Sequence, residues 1–534
     1  MGEFYKTDQT PNSKCHATQQ GMNGLTALFM LDRRRRNAAR PLVGARATHV
    51  KMAFSNPGRV FRLTRPFTQN FLMGMILFCL PGIYLALTGL GAGGGRPSSQ
   101  RVASLTNAIL YGVYSVVGWC GGSILNFLGP RYTAAIGGLG YPLYAGSLWY
   151  YDRIGHDAFP LTAGAVLGIS AALFWTTSGF IQFAYAEEKD KAKYITIQWV
   201  LSSMGSTVGG LIAFSANYKQ TEAVGVNSGV YIAFIAIQCF AIVMAALLLV
   251  NPRRVVRDDG RHIAIFKQAT FSEEIRGIIS VITDRKIIIM LPAMFVAEMC
   301  LALISSINGR LFNLRTRSLS NLLFQVIMIP APMMLAWLMD NQRIASRRKR
   351  GLLGVAAVGV VTICANTGVI GWIVANNMDE RSASAKPVDW TDKAFAPAFV
   401  LYLLYGIIYA CFQIVVQWTL SCLTNEPSLC ARYAGAFKGT VSLGMCISFI
   451  VDSQGVSYLH QAIMQLVLYS VGLGCLVYVI SVYVKETNYL DEATVIIPEA
   501  VENSLHEKGL VKVIDETATV DEGGQRRDAI EGGC

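Results

Sequence analysis

Charge is what this 534-residue chain has least of: 15% of its residues are Asp, Glu, Lys or Arg, against about 25% in an average soluble domain. With 53% hydrophobic residues and a mean hydropathy of +0.41, an ordinary soluble enzyme is excluded. The 12 cysteines contain no C-x-x-C pair and the 6 histidines no H-x-x-x-H pair, which removes the common zinc and dithiol sites. Most cysteines (Cys79, Cys120, Cys239, Cys300, Cys364, Cys411, Cys446, Cys475) fall inside apolar runs and read as packing residues. There is no G-x-S-x-G, no P-loop and no N-x-S/T acceptor,. The run Gly91-Ala92-Gly93-Gly94-Gly95 follows an apolar helix rather than a strand and has no closing Lys-Ser/Thr, so it reads as a helix end. No catalytic residue, cofactor, metal or nucleic-acid partner is expected.

What the chain does have is long apolar runs, and a helix crossing a bilayer needs about 20 such residues. Runs bounded by charge, Pro or Gly cover 68–91, 102–127, 132–150, 160–186, 194–217, 228–250, 287–308, 318–340, 352–376, 396–421, 432–452 and 463–484. This predicts an all-α membrane protein with twelve transmembrane helices in two six-helix repeats, 68–250 and 287–484, joined by a loop over 251–286. The tails differ in charge: residues 1–67 hold 12 basic and 3 acidic side chains, residues 485–534 hold 5 and 12. If both tails lie inside, the inner segments carry 35 Lys and Arg and the outer ones 10, so the positive-inside rule makes both termini cytoplasmic. The stretch Arg33–Arg36 with Arg40, Arg46, Arg59, Arg62 and Arg65 suits anionic lipid or a solvated tail. No signal peptide is expected, because the apolar stretch 25–31 precedes its positive charges. With no retention signal evident, the plasma membrane is the expected location.

Two pairs of motifs suggest that the halves are repeats. Gly122, Asn126, Gly129 and Arg131 follow the second run, and Ala336, Asp340 and Arg343 follow the eighth. Ala192-Lys193-Tyr194 opens the fifth run and Ala431-Arg432-Tyr433 the eleventh. The first group resembles the G-x-x-x-D-x-x-G-x-R signature of the major facilitator superfamily, with Asn126 in place of Asp. A closer resemblance, to the fungal branch of the uncoordinated-93-like membrane proteins within that superfamily, rests on residues 81–91 (PGIYLALTGLG), Ala186-Glu187-Glu188-Lys189, Phe312–Arg317 and Ala431–Gly439. The resemblance implies a major facilitator fold whose first, fourth, seventh and tenth helices line a central cavity. It also implies that Asn126, Arg131, Asp340 and Arg343 serve as gating or ion-pair residues. Leu85, Thr88 and residues 300–307 are more apolar than the family pattern, which implies a less polar pathway.

Candidate site residues follow from cost and periodicity. An ionisable group inside a bilayer usually faces a partner or a watery cavity. Glu298 falls near the middle of the seventh run, while Lys438, about six residues into the eleventh, is close enough to the edge to snorkel. Glu298 either titrates as Lys438 approaches and withdraws or forms a fixed structural pair with it. On the tenth run Tyr402, Tyr405, Tyr409, Gln413 and Gln417 share one face at about 100° per residue. On the fourth, Trp175, Ser178, Gln182 and Tyr185 share another. Each stripe fits a cavity wall or interhelical packing. The expected function is alternating-access transport of a small organic solute through the bilayer, with proton coupling open. The alternative is a non-transporting regulator or trafficking partner that binds other membrane proteins.

Overall fold

The computed structural model describes residues 62–82, 99–218, 228–266, 270–378 and 387–507. The Arg33–Arg36 arm with Arg40, Arg46 and Arg59, Leu85, Thr88, residues 91–95 and the tail beyond residue 507 lie outside them. Arg62 and Arg65, expected to suit lipid or solvent, instead bond the Val256 carbonyl and Asp258. Among the described residues the fold is helical, with isolated β-bridges only. The helices are α1 (Pro66–Leu77), α2 (Ser99–Leu128), α3 (Pro130–Gly138), α4 (Gly140–Ile154), α5 (Ala158–Ala184), α6 (Lys191–Asn217) and α7 (Ser228–Leu248). There follow α8 (Phe271–Ile282), α9 (Arg285–Val296), α10 (Cys300–Leu311), α11 (Leu314–Ile327), α12 (Pro330–Met339) and α13 (Arg347–Ala375). The last are α14 (Phe395–Cys422), α15 (Pro427–Ser453), α16 (Tyr458–Tyr483) and α17 (Glu499–Glu507).

Ten helical segments among the described residues are long and apolar enough to cross a bilayer. The chain is an integral, multi-pass membrane protein. The first and third expected spans are not among the ten: α1 and the π-turn after it are described only to Gly82, and α3 and α4 are short helices meeting at Leu139. Two spans are interrupted. The seventh is α9 and α10, separated at residues 297–299 downstream of Pro292, and the eighth is α11 and α12, separated at 328–329 just before Pro330. Proline removes a backbone donor and clashes with the preceding turn, so the break before Pro330 has a local cause, whereas α9 runs through Pro292 to Val296. The Met299 carbonyl exposed by the first break accepts from Ser448 Oγ at 2.8 Å and Gln465 Nε2 at 3.2 Å.

The end of the bundle where α1 begins and α16 ends is called the tail-side end here. The expected loop 251–286 is ordered there over its described residues. Thr270 and Glu273 form a capping box that starts α8,, a helix with Phe271, Ile275, Ile279 and Ile282 exposed along one face and Glu274 buried on the other. Residues 255–265 lie against 494–497 through an Ala264–Val495 bridge and a hydrogen bond from Arg257 Nη1 to the Ile496 carbonyl at 2.7 Å. The first part of the acidic tail is thus a packed strap.

The tightest crossing joins α2 to α15, with α5 against both. Gly118 faces the Gly439 backbone, Gly435 faces the Gly118–Gly122 backbone, and the Trp119 side chain lies against Gly439. Small residues allow that approach in a membrane, where packing rather than hydrophobicity drives association. A Cβ built on Gly118 would lie 2.6 Å from the Gly439 Cα. We therefore expect Gly118→Ala to lower the unfolding temperature of the detergent-purified protein, at a cost of about 1–3 kcal/mol for overpacking. Gly371→Ala, with nothing within 4 Å of the added carbon, serves as the control and should be neutral. Equal behaviour of the two variants would show that the crossing does not need the glycine.

Candidate functional site

Glu298 lies in the break between α9 and α10, where the backbone is free of regular helix. Its carboxylate meets Lys438 of α15, with Nζ 3.7 Å from Oε1. The same ammonium lies 4.7 Å from the ring centroid of Trp175 on α5 and 4.9 Å from that of Phe437. The lysine is thus held by one carboxylate and two aromatic faces. Helix α15 begins at Pro427 rather than near residue 432, which carries Lys438 deeper than expected; it is 5% exposed. It does not snorkel. Gln413 of α14 lies beside the Glu298 carboxylate and donates from Nε2 to the Tyr409 carbonyl at 3.1 Å. The Tyr409 ring packs against Trp199 of α6 at 5.8 Å. Trp175, Glu298, Tyr409, Gln413 and Lys438 therefore meet where α5 and α6 contact the helices after α8.

The remaining stripe residues face elsewhere. Gln182 donates from Nε2 to Ser178 Oγ at 3.2 Å and to Gln198 Oε1 at 2.9 Å; Gln198 in turn donates to Asn70 Oδ1 at 2.8 Å. That network ties α1, α5 and α6 together. The Tyr405 hydroxyl donates to Asn366 Oδ1 of α13 at 3.0 Å, and the Tyr402 ring packs on Phe324 of α11 at 5.0 Å. Tyr185 caps the tail-side end of α5, and Gln417 is buried on α14. Asn70, Ser178 and Gln198 form a polar core, of which only Ser178 stood out in the sequence. Gln198 is the lone amide in the interior of its apolar run, which is the available signal for it, whereas Asn70 stands beside Thr68 and Gln69 at the start of its run.

At the tail-side end several ties cross between the helices before and after α8. Asn126 Nδ2 donates to Glu274 Oε2 at 3.3 Å and to the Ser428 carbonyl at 3.2 Å. Glu274 also takes both Nε and Nη2 of Arg432, at 3.2 and 3.0 Å. Asp340 accepts from the backbone N–H groups of Ala192 and Lys193 at 3.2 and 2.7 Å, capping α6 from the opposite set of helices. Glu188 accepts from Asn425 Nδ2 at 2.7 Å and pairs with Arg347 at 3.2 Å. Arg131 instead donates to the Ala246 carbonyl of α7 and does not meet Asn126. The Arg343 side chain is exposed, and its backbone N–H donates to Asn341 Oδ1. At the far end Trp390 packs on Phe214 of α6 and on Tyr218, which caps that helix, and Tyr111 stacks on Phe449. The two sets of helices touch at both ends.

Residues 101–477 match the family described as ion channel regulatory protein UNC-93. This chain belongs to the UNC-93 family. It is 41% identical over 422 residues to an uncharacterized membrane protein of Schizosaccharomyces pombe, covering 79% of this chain and 86% of the relative. It is 33% identical to UNC93-like protein 1 of Arabidopsis thaliana over 436 residues, 81% of this chain and 94% of that one. In structure it resembles the fucose:proton symporter of E. coli, with 13% identity and a TM-score of 0.54 over 78% of this chain and 99% of that chain. The fold is that of major facilitator superfamily transporters, a transporter-like architecture.

Breaking a buried pair by removing one partner costs about 3–5 kcal/mol because a lone charge stays buried. We expect Glu298→Gln and Lys438→Met each to lower thermal stability in detergent, and the double variant to lose less than the two losses added. Strict additivity would show that the groups do not interact. Asp340 supplies a second expectation. Burial pushes its carboxyl up to about 7, against the pull of the Lys193 and Ala192 N–H groups. A carboxyl raised in the folded state contributes stability that is full below its unfolded value of 3.8 and is lost as pH rises through about 7,. Asp340→Asn should flatten that part of the stability profile; an unchanged slope would assign it to other groups.

Proposed function

We propose that this UNC-93 family chain is a non-enzymatic carrier that moves a small organic solute by alternating access. In this reading the helices of 68–250 and of 287–484 are two bundles that rock about the Glu298–Lys438–Trp175 cluster, with Tyr409 and Gln413 completing the binding surface. The observation that carries it is a buried carboxylate and ammonium meeting an aromatic ring where the two sets of helices touch. An intramembrane ion pair bears a cost that a purely structural contact need not bear, and a cavity that opens around it would hydrate both charges. The lining is aromatic, amide-bearing and poor in net charge, which suits a neutral or weakly charged organic molecule. Withdrawal of Lys438 as the bundles part leaves Glu298 to take up a proton, which couples the solute to a proton gradient. The ties of Asp340, Glu188 and Glu274 close the tail-side end, which this reading places in the cytoplasm on the Lys and Arg distribution, with the plasma membrane as the default location.

A second reading is favoured by the family's description as an ion channel regulatory protein: the bundle binds another membrane protein and carries nothing. The two readings part on one experiment. Purified protein is screened for thermal stabilisation by small metabolites at pH 5.5 and 7.5, where a ligand of the folded state stabilises by RT ln(1 + [L]/Kd), and hits are tested for uptake into proteoliposomes. The carrier reading expects a hit whose stabilisation is lost in Gln413→Ala and Trp175→Ala. It also expects uptake whose pH dependence disappears in Glu298→Gln. Absence of uptake for every stabilising compound, with an intact channel complex recovered from the membrane, would replace the carrier by the regulator.

A further inference from the structure

Helix α8 has three faces rather than two. At 100° per residue, Phe271, Ile275, Ile278, Ile279 and Ile282 fall within an arc of about 100°, and Phe271 is 76% and Ile279 55% exposed. Glu274, Gly277 and Val281 form a second face, buried against the bundle. Ser272, Glu273, Arg276 and Ser280 form a third, polar and exposed. A helix lying between protein and water needs only a buried face and a polar one. The apolar face that is left over calls for a third medium.

The depth of the helix identifies that medium. The Glu274 carbonyl accepts from Ser123 Oγ at 3.4 Å, and its carboxylate from Asn126 Nδ2. The α2 span ends at Leu128, so these two residues lie about 8 and 3 Å short of its end at 1.5 Å per residue. A Cβ built on Gly277 would meet the Arg432 guanidinium, which belongs to the second turn of the span that begins at Pro427. Helix α8 therefore lies against the flank of the α2–α15 crossing, level with the last turns of those spans. That is the boundary between headgroups and acyl chains, into which an interfacial helix buries its apolar face by about 5–10 Å. The adjoining spans expose apolar side chains at the same end, Phe127 on α2 and Ile288 on α9. Arg276 and Arg285 are exposed there too and suit lipid phosphates. At about 18 Å by 10 Å, the apolar face is far smaller than the roughly 800 Å² that a stable protein partner covers.

We propose that α8 is an interfacial helix whose partner is the bilayer surface. It lies in the tail-side leaflet with its apolar face in the acyl boundary, its polar face toward water and Glu274 toward the bundle. The membrane thus holds in place the carboxylate that Asn126 and Arg432 share. Lipid contact and the tie between the two sets of helices are carried by adjacent faces of one helix. The inference stands whether the chain is a carrier or a regulator.

The test uses the full-length protein in nanodiscs of phosphatidylcholine and phosphatidylglycerol. Ile279→Cys and Ser280→Cys are each exposed to a membrane-impermeant maleimide, and modification of that one peptide is followed by mass spectrometry, so that the native cysteines do not interfere. We expect Ile279→Cys to react about tenfold more slowly than its neighbour, because an apolar boundary limits both access and thiolate formation. In parallel, the unmutated protein is irradiated in nanodiscs containing phosphatidylcholine with a diazirine in its acyl chain. Adducts are expected on Phe271, Ile275 and Ile279 and not on Ser280. Equal reaction of the two cysteines would overturn the proposal by placing the apolar face in water. Slow reaction of Ile279→Cys without lipid adducts would overturn it as well, by giving that face to another part of the protein. If either variant does not fold, the adducts on the unmutated chain decide.

Discussion

The contact that organises the molecule is the backbone approach of α2 to α15, made where Gly118 and Gly122 face Gly439 and Gly435. Lys438 precedes Gly439, so the crossing that seats the glycine also carries the lysine to Trp175. Lower on the same two helices, Asn126 and Arg432 are brought within reach of one carboxylate, that of Glu274. Were the helices separated by ordinary side chains, the ammonium would move away from the indole and Glu274 would have to choose between its partners. One steric condition, glycine at the facing positions of the crossing, thus sets the geometry of both the central cluster and the tail-side ties. Dispersion at such close range is the main force that holds helices together in lipid.

Much of this architecture was legible in the sequence because the bilayer imposes length and polarity rules that a soluble core does not. The apolar runs found the ten membrane-crossing helices, and the cost of burying charge singled out Glu298 and Lys438, which meet in the structure. Other features escaped for identifiable reasons. Periodicity reports the face of a helix on which a residue sits, not the neighbour that satisfies it. Tyr405 shares a stripe with Tyr409 yet bonds Asn366 behind it, and Gln182 shares one with Trp175 yet joins the Asn70 and Gln198 network. Arg131 was expected to act with Asn126, but a carbonyl of α7 lies closer to its reach. Hydropathy reads through the breaks in the seventh and eighth spans, and only the second has a residue beside it, Pro330, whose chemistry accounts for it,.

The tail-side end combines elements that sequence analysis treats as connectors. The capping box at Thr270 starts a helix with one apolar exposed face and one buried carboxylate, and residues 494–497 run beside 262–265. Backbone pairing of that kind is invisible to hydropathy, because its specificity lies in main-chain groups and in two arginines, Arg257 and Arg261, that bond the carbonyls of Ile496 and Ile497. The arrangement gives the UNC-93 chain a set of polar ties at the end where its charged segments gather and an aromatic seal at the other. Polar ties exchange readily with water when they part, whereas the contact of Trp390 with Phe214 and Tyr218 must be exposed as apolar surface.

The interrupted seventh span has a mechanical meaning. An intact helix resists bending because curvature strains a ladder of hydrogen bonds. Between Val296 and Cys300 that ladder narrows to i→i+3 bonds from Ala297 to Met294, Met299 to Val296 and Leu301 to Glu298, and the carbonyl of Met299 is held by Ser448 and Gln465 from two other helices. The span therefore behaves as two stiff rods with a swivel pinned to its neighbours. Tilting the outer rod would turn the Glu298 side chain about that pivot at the expense of those few i→i+3 bonds and not of a full α-helical ladder.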